Sequence, residues 1–389
     1  MRISRRIAGL NGGGSDGWEI LYRARALKAA GKPVLDLTVG DHDRITPDLI
    51  LDEMYRSAKG GRTGYADVPG LPKLRAAVAE RVATRTGVAT EAENVLVVPG
   101  GQAGLFAAFM GVLDPGETAL FVDPYYATYP GTIRAASGVP HAITARAEAG
   151  FQLEASDLDA APDARAILIN TPNNPTGAVY SEATVRAVTE FAEVRDLWII
   201  SDEVYDGQIW DGAHLSPRAL VPERVLVVGS LSKSHVMTGS RLGWVAGPAE
   251  MIGPLANLAT NTTYGVAGYI QDAGLEALLK GDAVEAEVAA TYRARRDLAL
   301  SLLQGSNSVR PVPSGGAMYV MLDIRSTGLS GDAFAEQLLD AHQIAVMPGE
   351  SFGRAAAGHV RVALTANRET LSAALAELVR FAEEIRDAA

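Results

Sequence analysis

No cysteine occurs in the 389-residue chain, which excludes a disulfide framework, a zinc–thiolate centre, an iron–sulfur cluster and a cysteine nucleophile. Positive charge is in deficit: 35 Lys and Arg stand against 46 Asp and Glu, a net charge of −11. Nucleic acid is therefore not an expected partner, since its recognition needs a basic face. No apolar run approaches the ~20 residues of a membrane span. The basic start, MRISRRIAGLNGGGSDGW, breaks into glycines before a signal-peptide core could form, so a cytoplasmic location is expected. No repeat recurs with a period of ~20–50 residues. The one biased stretch, Gly12 to Gly17, reads either as a flexible loop or as a mobile lid near a binding site.

What is present is an ordinary globular composition, 48% hydrophobic and 21% charged. That much apolar side chain offsets chain entropy, which excludes disorder as the main state. The length exceeds one ordinary core and predicts two domains. From about residue 90 to 250, short β-branched apolar runs recur: VLVV at 95–98, ALFV at 119–122, AILI at 166–169, LWII at 197–200 and VLVV at 225–228. Each is too short for a helix, and each is bounded by turn residues, as in strands buried on both faces. Helical stretches lie between them, including residues 103–113 and 181–196, the latter with Ser181 as N-cap. The alternation predicts an α/β fold with a mostly parallel sheet covered by helices. A long charged helix, roughly Asp282 to Leu303, leads into a smaller α+β region with a helical end. The expected division is a large domain over 46–281 and a small one formed by 1–45 with 282–389.

Ligands of open parallel sheets sit beyond the carboxyl ends of the strands, so the residues just after each run carry the chemical information. After 95–98, PGGQAGL opens a helix and offers amides to an anion, although a plain glycine turn explains it equally. It matches neither a P-loop nor GxGxxG, which disfavours a dinucleotide-dependent dehydrogenase. After 119–122, DPYYATY places three tyrosines where they pack or stack on a flat ligand. After 166–169, NTPNNPTG carries more asparagines than a structural turn needs. After 197–200, SDEVY sets an acid at a buried strand end, costly unless a cation faces it; the alternative is a cap with a solvated glutamate. After 225–228, GSLSKSHVMTGSRLGW holds a lone lysine among small hydroxyl residues, with an arginine eight residues on. A phosphate cradle, an aromatic plate, an asparagine, an acid and a lysine together suit a phosphorylated aromatic aldehyde held as a Schiff base.

These motifs, taken jointly, resemble those of the class I/II aminotransferases of pyridoxal-phosphate fold type I, the aspartate-aminotransferase superfamily. The likeness runs from VGDHDRITP at 39–47 to HVRVALT at 359–365. It implies pyridoxal 5′-phosphate as cofactor and a ping-pong exchange between an L-amino acid and a 2-oxo acid. Lys233 would carry the Schiff base and shuttle a proton, Asp202 would face the pyridine nitrogen, and Tyr205 and Asn174 would bond the phenolic oxygen. Tyr126 would stack on the ring, a place many members give to tryptophan. Gly101, Gln102, Ser230 and Arg241 would hold the phosphate. Arg361 would grip the substrate α-carboxylate, with Gly40 in the loop that covers it. Tyr65 would reach the phosphate of a neighbouring subunit, which implies a homodimer. No metal is expected.

The chain departs from the family where members commonly read Gly-x-Pro-x-Phe: here GDHDRITP stands at 40–47, and His42 and Asp43 read either as solvated loop residues or as groups that shape side-chain recognition. No second arginine for a distal carboxylate is identified, so aspartate specificity is not expected. A carbon–sulfur β-lyase on the same scaffold would share every cofactor contact and stands as the alternative activity. A cofactor-sensing transcription regulator is disfavoured, because only about 40 residues precede the first cofactor-domain helix.

Overall fold

The computed structural model describes residues 1–388. A seven-stranded sheet runs in the order Val95–Val98, Gly243–Ala246, Val225–Ser230, Trp198–Asp202, Ala166–Asn170, Thr118–Asp123, Val139–Thr144. Gly243–Ala246 is antiparallel to both neighbours; every other pairing is parallel. All five expected strands are present. Two more were not expected. Val139–Thr144 is an edge strand with mostly exposed or half-exposed residues and an internal Pro140, so it shows no apolar run and tolerates a residue that cannot donate to a ladder. Gly243–Ala246 is only four residues and begins with a glycine.

Side chains alternate between the two faces of this sheet. Val95, Val97, Ile167, Ile169, Ile199, Val225 and Val227 join one apolar cluster. Leu96, Val98, Leu168, Ile200, Leu226 and Val228 join another on the opposite face. Continuous burial explains the unbroken β-branched runs, and each such side chain contributes about 1.5–3 kcal/mol when fully buried. The expected helices appear at Gly101–Val112 and Glu182–Val194, where the Ser181 hydroxyl accepts from the Thr184 amide at 3.1 Å. The long helix runs over Asp282–Leu303 and the last over Arg368–Ala388.

A separate four-stranded antiparallel sheet, in the order Met347–Pro348, His359–Ala363, Tyr319–Asp323, Arg310–Pro311, lies in the C-terminal region. The N-terminal strand Leu35–Asp36 pairs in parallel with Ile344–Ala345. Ile20 and Ala24 of helix Glu19–Ala29 share a core with Val320, Leu338 and Val360. The first residues of the chain thus pack with the last ones. Among the described residues, no helix is long and apolar enough to cross a membrane.

Candidate active site

The carboxyl ends of the parallel strands open on a cavity of about 280 Å³. Gly40, Gly101, Gln102, Tyr126, Asn174, Asp202, Tyr205, Ser230, Lys233, Arg241 and Arg361, all singled out from the sequence, line it. They come from segments up to 321 positions apart: parallel strands bring their C-terminal turns to one edge, and Gly40 and Arg361 reach that edge from the loop after Leu35–Asp36 and from strand His359–Ala363.

Asp202 ends its strand and is 4% exposed. Its Oδ2 accepts from the Tyr129 hydroxyl at 2.6 Å. Among the described residues no cationic side chain lies within ion-pair reach of it. Burial therefore pushes its carboxyl up to about 6, against the opposing pull of the Tyr129 bond. Its neighbour Glu203 points the other way and is not solvated: it is buried, 3.1 Å from His214 Nε2, and accepts from the Ser201 and Ser216 hydroxyls at 2.7 and 2.6 Å. Of these two neighbours, it is therefore Asp202 that faces the cavity.

Arg361 mirrors Asp202 with the opposite sign. It is 1% exposed, and its guanidinium lies 4.3 Å from the ring centres of both Tyr319 and Phe352. Nη1 donates to Asn174 Oδ1 at 2.8 Å and Nη2 to the Thr38 carbonyl, while buried Nε has no partner. No carboxylate pairs with it among the described residues. A buried cation without a counter-ion is costly, and an anion entering the cavity would relieve that cost. Because Asn174 Oδ1 is taken by Arg361, its amide nitrogen is the group left to donate.

Lys233 directs its amine to the Gly40 carbonyl at 2.5 Å. A Cβ at Gly40 would overlap the Tyr319 hydroxyl, so glycine there lets the loop carrying that carbonyl pass close to the ring. Tyr319 in turn sits 3.1 Å from the Tyr205 hydroxyl. Tyr126 stands edge-on to Trp18 and Tyr129, and burial pushes its phenol up to about 12. Gly101 and Gln102, the first residues of helix Gly101–Val112, line the cavity with Arg241, and a helix start leaves its amides without intrahelical partners. Gly100 has a φ of +80°, and a Cβ on it would meet the Arg241 guanidinium. The Gln102 side chain is committed elsewhere, to Thr132 and Thr128 at 2.7 and 2.9 Å. Arg241 donates to the Thr238 carbonyl at 2.8 Å and, among the described residues, pairs with no acid.

Tyr65 is not in the cavity. It is 92% exposed and packs edge-on against Tyr264, itself more than half exposed. His42 and Asp43 also lie outside the lining: His42 is not solvated, and Asp43, an exposed loop residue, is held in an ion pair. His42 is half-buried between Tyr292 and the Ser232 carbonyl. Asp43 forms a two-pronged ion pair with Arg295 at 3.0 and 2.6 Å. Both tie their loop to helix Asp282–Leu303. Turns and bends fill the glycine-rich stretch, and Trp18 just beyond it forms part of the cavity wall.

Sequence reasoning missed Tyr129, Trp18, Thr38 and Tyr319. Tyr129 was the last member of a visible tyrosine run. Tyr319 carries no local signal, since only the pairing of its strand with His359–Ala363 brings it to Arg361.

An unpaired buried acid, an unpaired buried arginine and an amine in one strand-end crevice define a site of the aminotransferase kind. The chain belongs to the aminotransferase class I and II family, whose model matches residues 32–378. It is 42% identical to an arginine–pyruvate transaminase of Pseudomonas aeruginosa over 99% of both chains. It is 36% identical to an aspartate/prephenate aminotransferase of Thermus thermophilus, over 92% of this chain and 93% of that one. The solved structure of the Thermus thermophilus aspartate aminotransferase with maleate superposes with a TM-score of 0.92 at 34% identity, covering 98% of this chain and all of the other. The fold is fold type I, and the protein is an aminotransferase acting between an amino acid and a 2-oxo acid. The named relatives are transaminases, so the β-lyase alternative has no support. Members of this family use pyridoxal phosphate.

Proposed function

We propose that this chain holds pyridoxal 5′-phosphate in the strand-end cavity, with Lys233 as the amine that carries it. The observation behind this reading is the pair of unmatched buried charges, Asp202 and Arg361, which the group and its amino-acid substrate would satisfy together. When bound, the cofactor supplies an electron sink conjugated with the substrate's amino nitrogen. Asp202, oriented by the Tyr129 hydroxyl, would present a carboxylate to the cofactor's ring nitrogen and favour its protonated form. Tyr205 and the free amide of Asn174 supply donors to the phenolic oxygen. The amides of Gly101 and Gln102, the Ser230 hydroxyl and Arg241 receive the phosphate, Arg241 as a charge-assisted donor. Arg361 takes the substrate α-carboxylate and so orients the Cα–H bond toward Lys233, whose amine moves the proton. Residues 46–281 and the pair 1–45 with 282–389 form the two domains of this proposal, supported by the seven-stranded sheet lying wholly in the first and the two smaller sheets in the second. The cytoplasm, where free amino acids and 2-oxo acids are held, is the proposed location.

Borohydride should fix the cofactor to the protein with loss of its yellow colour, and peptide mass mapping should place it on Lys233. A label on any other lysine would refute the assignment. The donor is proposed to carry a neutral or basic side chain. The cavity's two arginines are both assigned, leaving none of this chain's own for a second carboxylate; Asp41 also lines the cavity, and the Pseudomonas relative is named for arginine. Depletion of the visible band by a panel of single amino acids, with no acceptor present, should be fastest with such donors and slowest with aspartate.

We further propose a homodimer in which Tyr65 completes the phosphate site of its partner. Its near-complete exposure beside an exposed Tyr264 supports this, since large aromatics left in water mark contact surfaces. Mixing Lys233→Ala and Tyr65→Phe chains should give hybrids with one intact site and recovered activity. A monomer with full cofactor affinity would contradict it.

A further inference from the structure

The segment Gly40–Thr46 is fastened to the Lys233 turn at four points. The Lys233 amine donates to the Gly40 carbonyl at 2.5 Å, and His42 Nε2 meets the Ser232 carbonyl at 3.1 Å. The Thr238 hydroxyl donates to Asp41 Oδ1 at 2.8 Å, and the Thr46 hydroxyl to the Val236 carbonyl at 2.5 Å. The turn needs fastening. Val236 is β-branched yet has a φ of +56°, and Arg241 follows at +53°, a region L-residues with branched side chains rarely occupy.

The other side of the segment is anchored on helix Asp282–Leu303. The Tyr292 hydroxyl is 2.9 Å from His42 Nδ1 with the two rings edge to face, and Arg295 grips Asp43. A carbonyl only accepts, so Nε2 of His42 carries the hydrogen, and in the neutral ring Nδ1 accepts from Tyr292. Burial first, then the charge of Lys233 from the facing turn, pushes His42 down to about 4, against Asp41 and Asp43 on its own segment; Tyr292 faces it from the helix. The Ser232 carbonyl shares a peptide plane with the Lys233 amide, so a bond to that oxygen fixes the backbone from which the lysine side chain springs.

We propose that His42 is a positioning residue for Lys233: anchored on Tyr292, it holds the Ser232–Lys233 peptide while Gly40, two residues away, receives the amine. This rests on the reading that Lys233 carries the cofactor. One short segment then sets both ends of the lysine, and helix Asp282–Leu303 sets the segment.

The test is the pH titration of the visible cofactor band in the full-length holoenzyme, read beside kcat, KM and the melting temperature. His42→Phe keeps a ring but neither bond; Tyr292→Phe removes only the hydroxyl; His42→Gln keeps an amide donor. His42→Phe should displace the titration midpoint and lower kcat about three- to tenfold, the loss expected from one or two net hydrogen bonds, with KM little changed. Tyr292→Phe should move both readouts the same way by less, and His42→Gln should recover most of the loss. A folded His42→Phe holoenzyme with the parent midpoint and the parent kcat would overturn the proposal. If that variant does not fold, Tyr292→Phe with parental values does the same. Failure of the cofactor assignment itself looks different: Lys233→Ala would then retain the parent's visible band and its titration.

Discussion

Replacing Arg361 by alanine should lower kcat/KM for every amino donor by a similar factor while leaving cofactor content unchanged. The α-carboxylate is common to all donors, and removing one partner of a buried charge pair costs about 2–5 kcal/mol, roughly 30- to several thousand-fold. Arg361→Lys should recover only part of this. A lysine keeps the charge but loses the planar fork and the 4.3 Å sandwich between Tyr319 and Phe352. Stability should respond in the other direction. With no acid beside it among the described residues, the guanidinium is a buried charge that burial itself disfavours, so Arg361→Met should melt no lower than the parent in the absence of substrate. A panel of donors measured with Arg361→Ala decides the matter: loss of one donor alone would show that Arg361 reads side chains.

Asp202→Asn should separate activity from stability even more sharply. Asparagine is nearly isosteric and can still bond Tyr129, but it presents no charge to the pyridine nitrogen. The loss should fall on proton transfer from the substrate, about 2–4 kcal/mol or roughly 30- to 1,000-fold in single-turnover rate, with cofactor retained. In the cofactor-free chain the same change should stabilise. Burial raises the Asp202 pKa from 3.8 to about 6. The ionised form is thus the disfavoured one in the fold. Stability is complete below pH ~4 and falls as pH rises through about 6, by at most ~3 kcal/mol at ~1.4 kcal/mol per factor of ten. Asparagine abolishes that slope, so above pH 6 the cofactor-free variant should unfold at higher denaturant than the parent. Parental single-turnover rates in a folded variant would remove Asp202 from the chemistry. An unchanged pH–stability profile would show that its charge costs the fold nothing.

Local chemistry carried most of this in the chain itself. Strands buried on both faces must be apolar at every position, so VLVV, AILI and LWII could be read without a structure. The residue after each strand must serve the crevice, because a parallel sheet presents all its carboxyl ends to one edge; Asp202, Ser230 and Lys233 followed from that rule together with the family resemblance. Edge strand Val139–Thr144 has no such constraint and left no pattern. Tertiary structure alone decided which charges went unpaired. Glu203 and Asp202 are neighbours with the same chemistry, yet in the fold one turns to His214 and the other to the cavity. His42 and Asp43 could be read in sequence either as solvated or as side-chain readers, and only the approach of Tyr292 and Arg295, some 250 residues away, makes them fastenings. The physical reason is range. Burial and turn chemistry act on adjacent residues and are written there, whereas a side chain's partner is fixed by which elements pack together. Nothing in the segment that carries it records that choice.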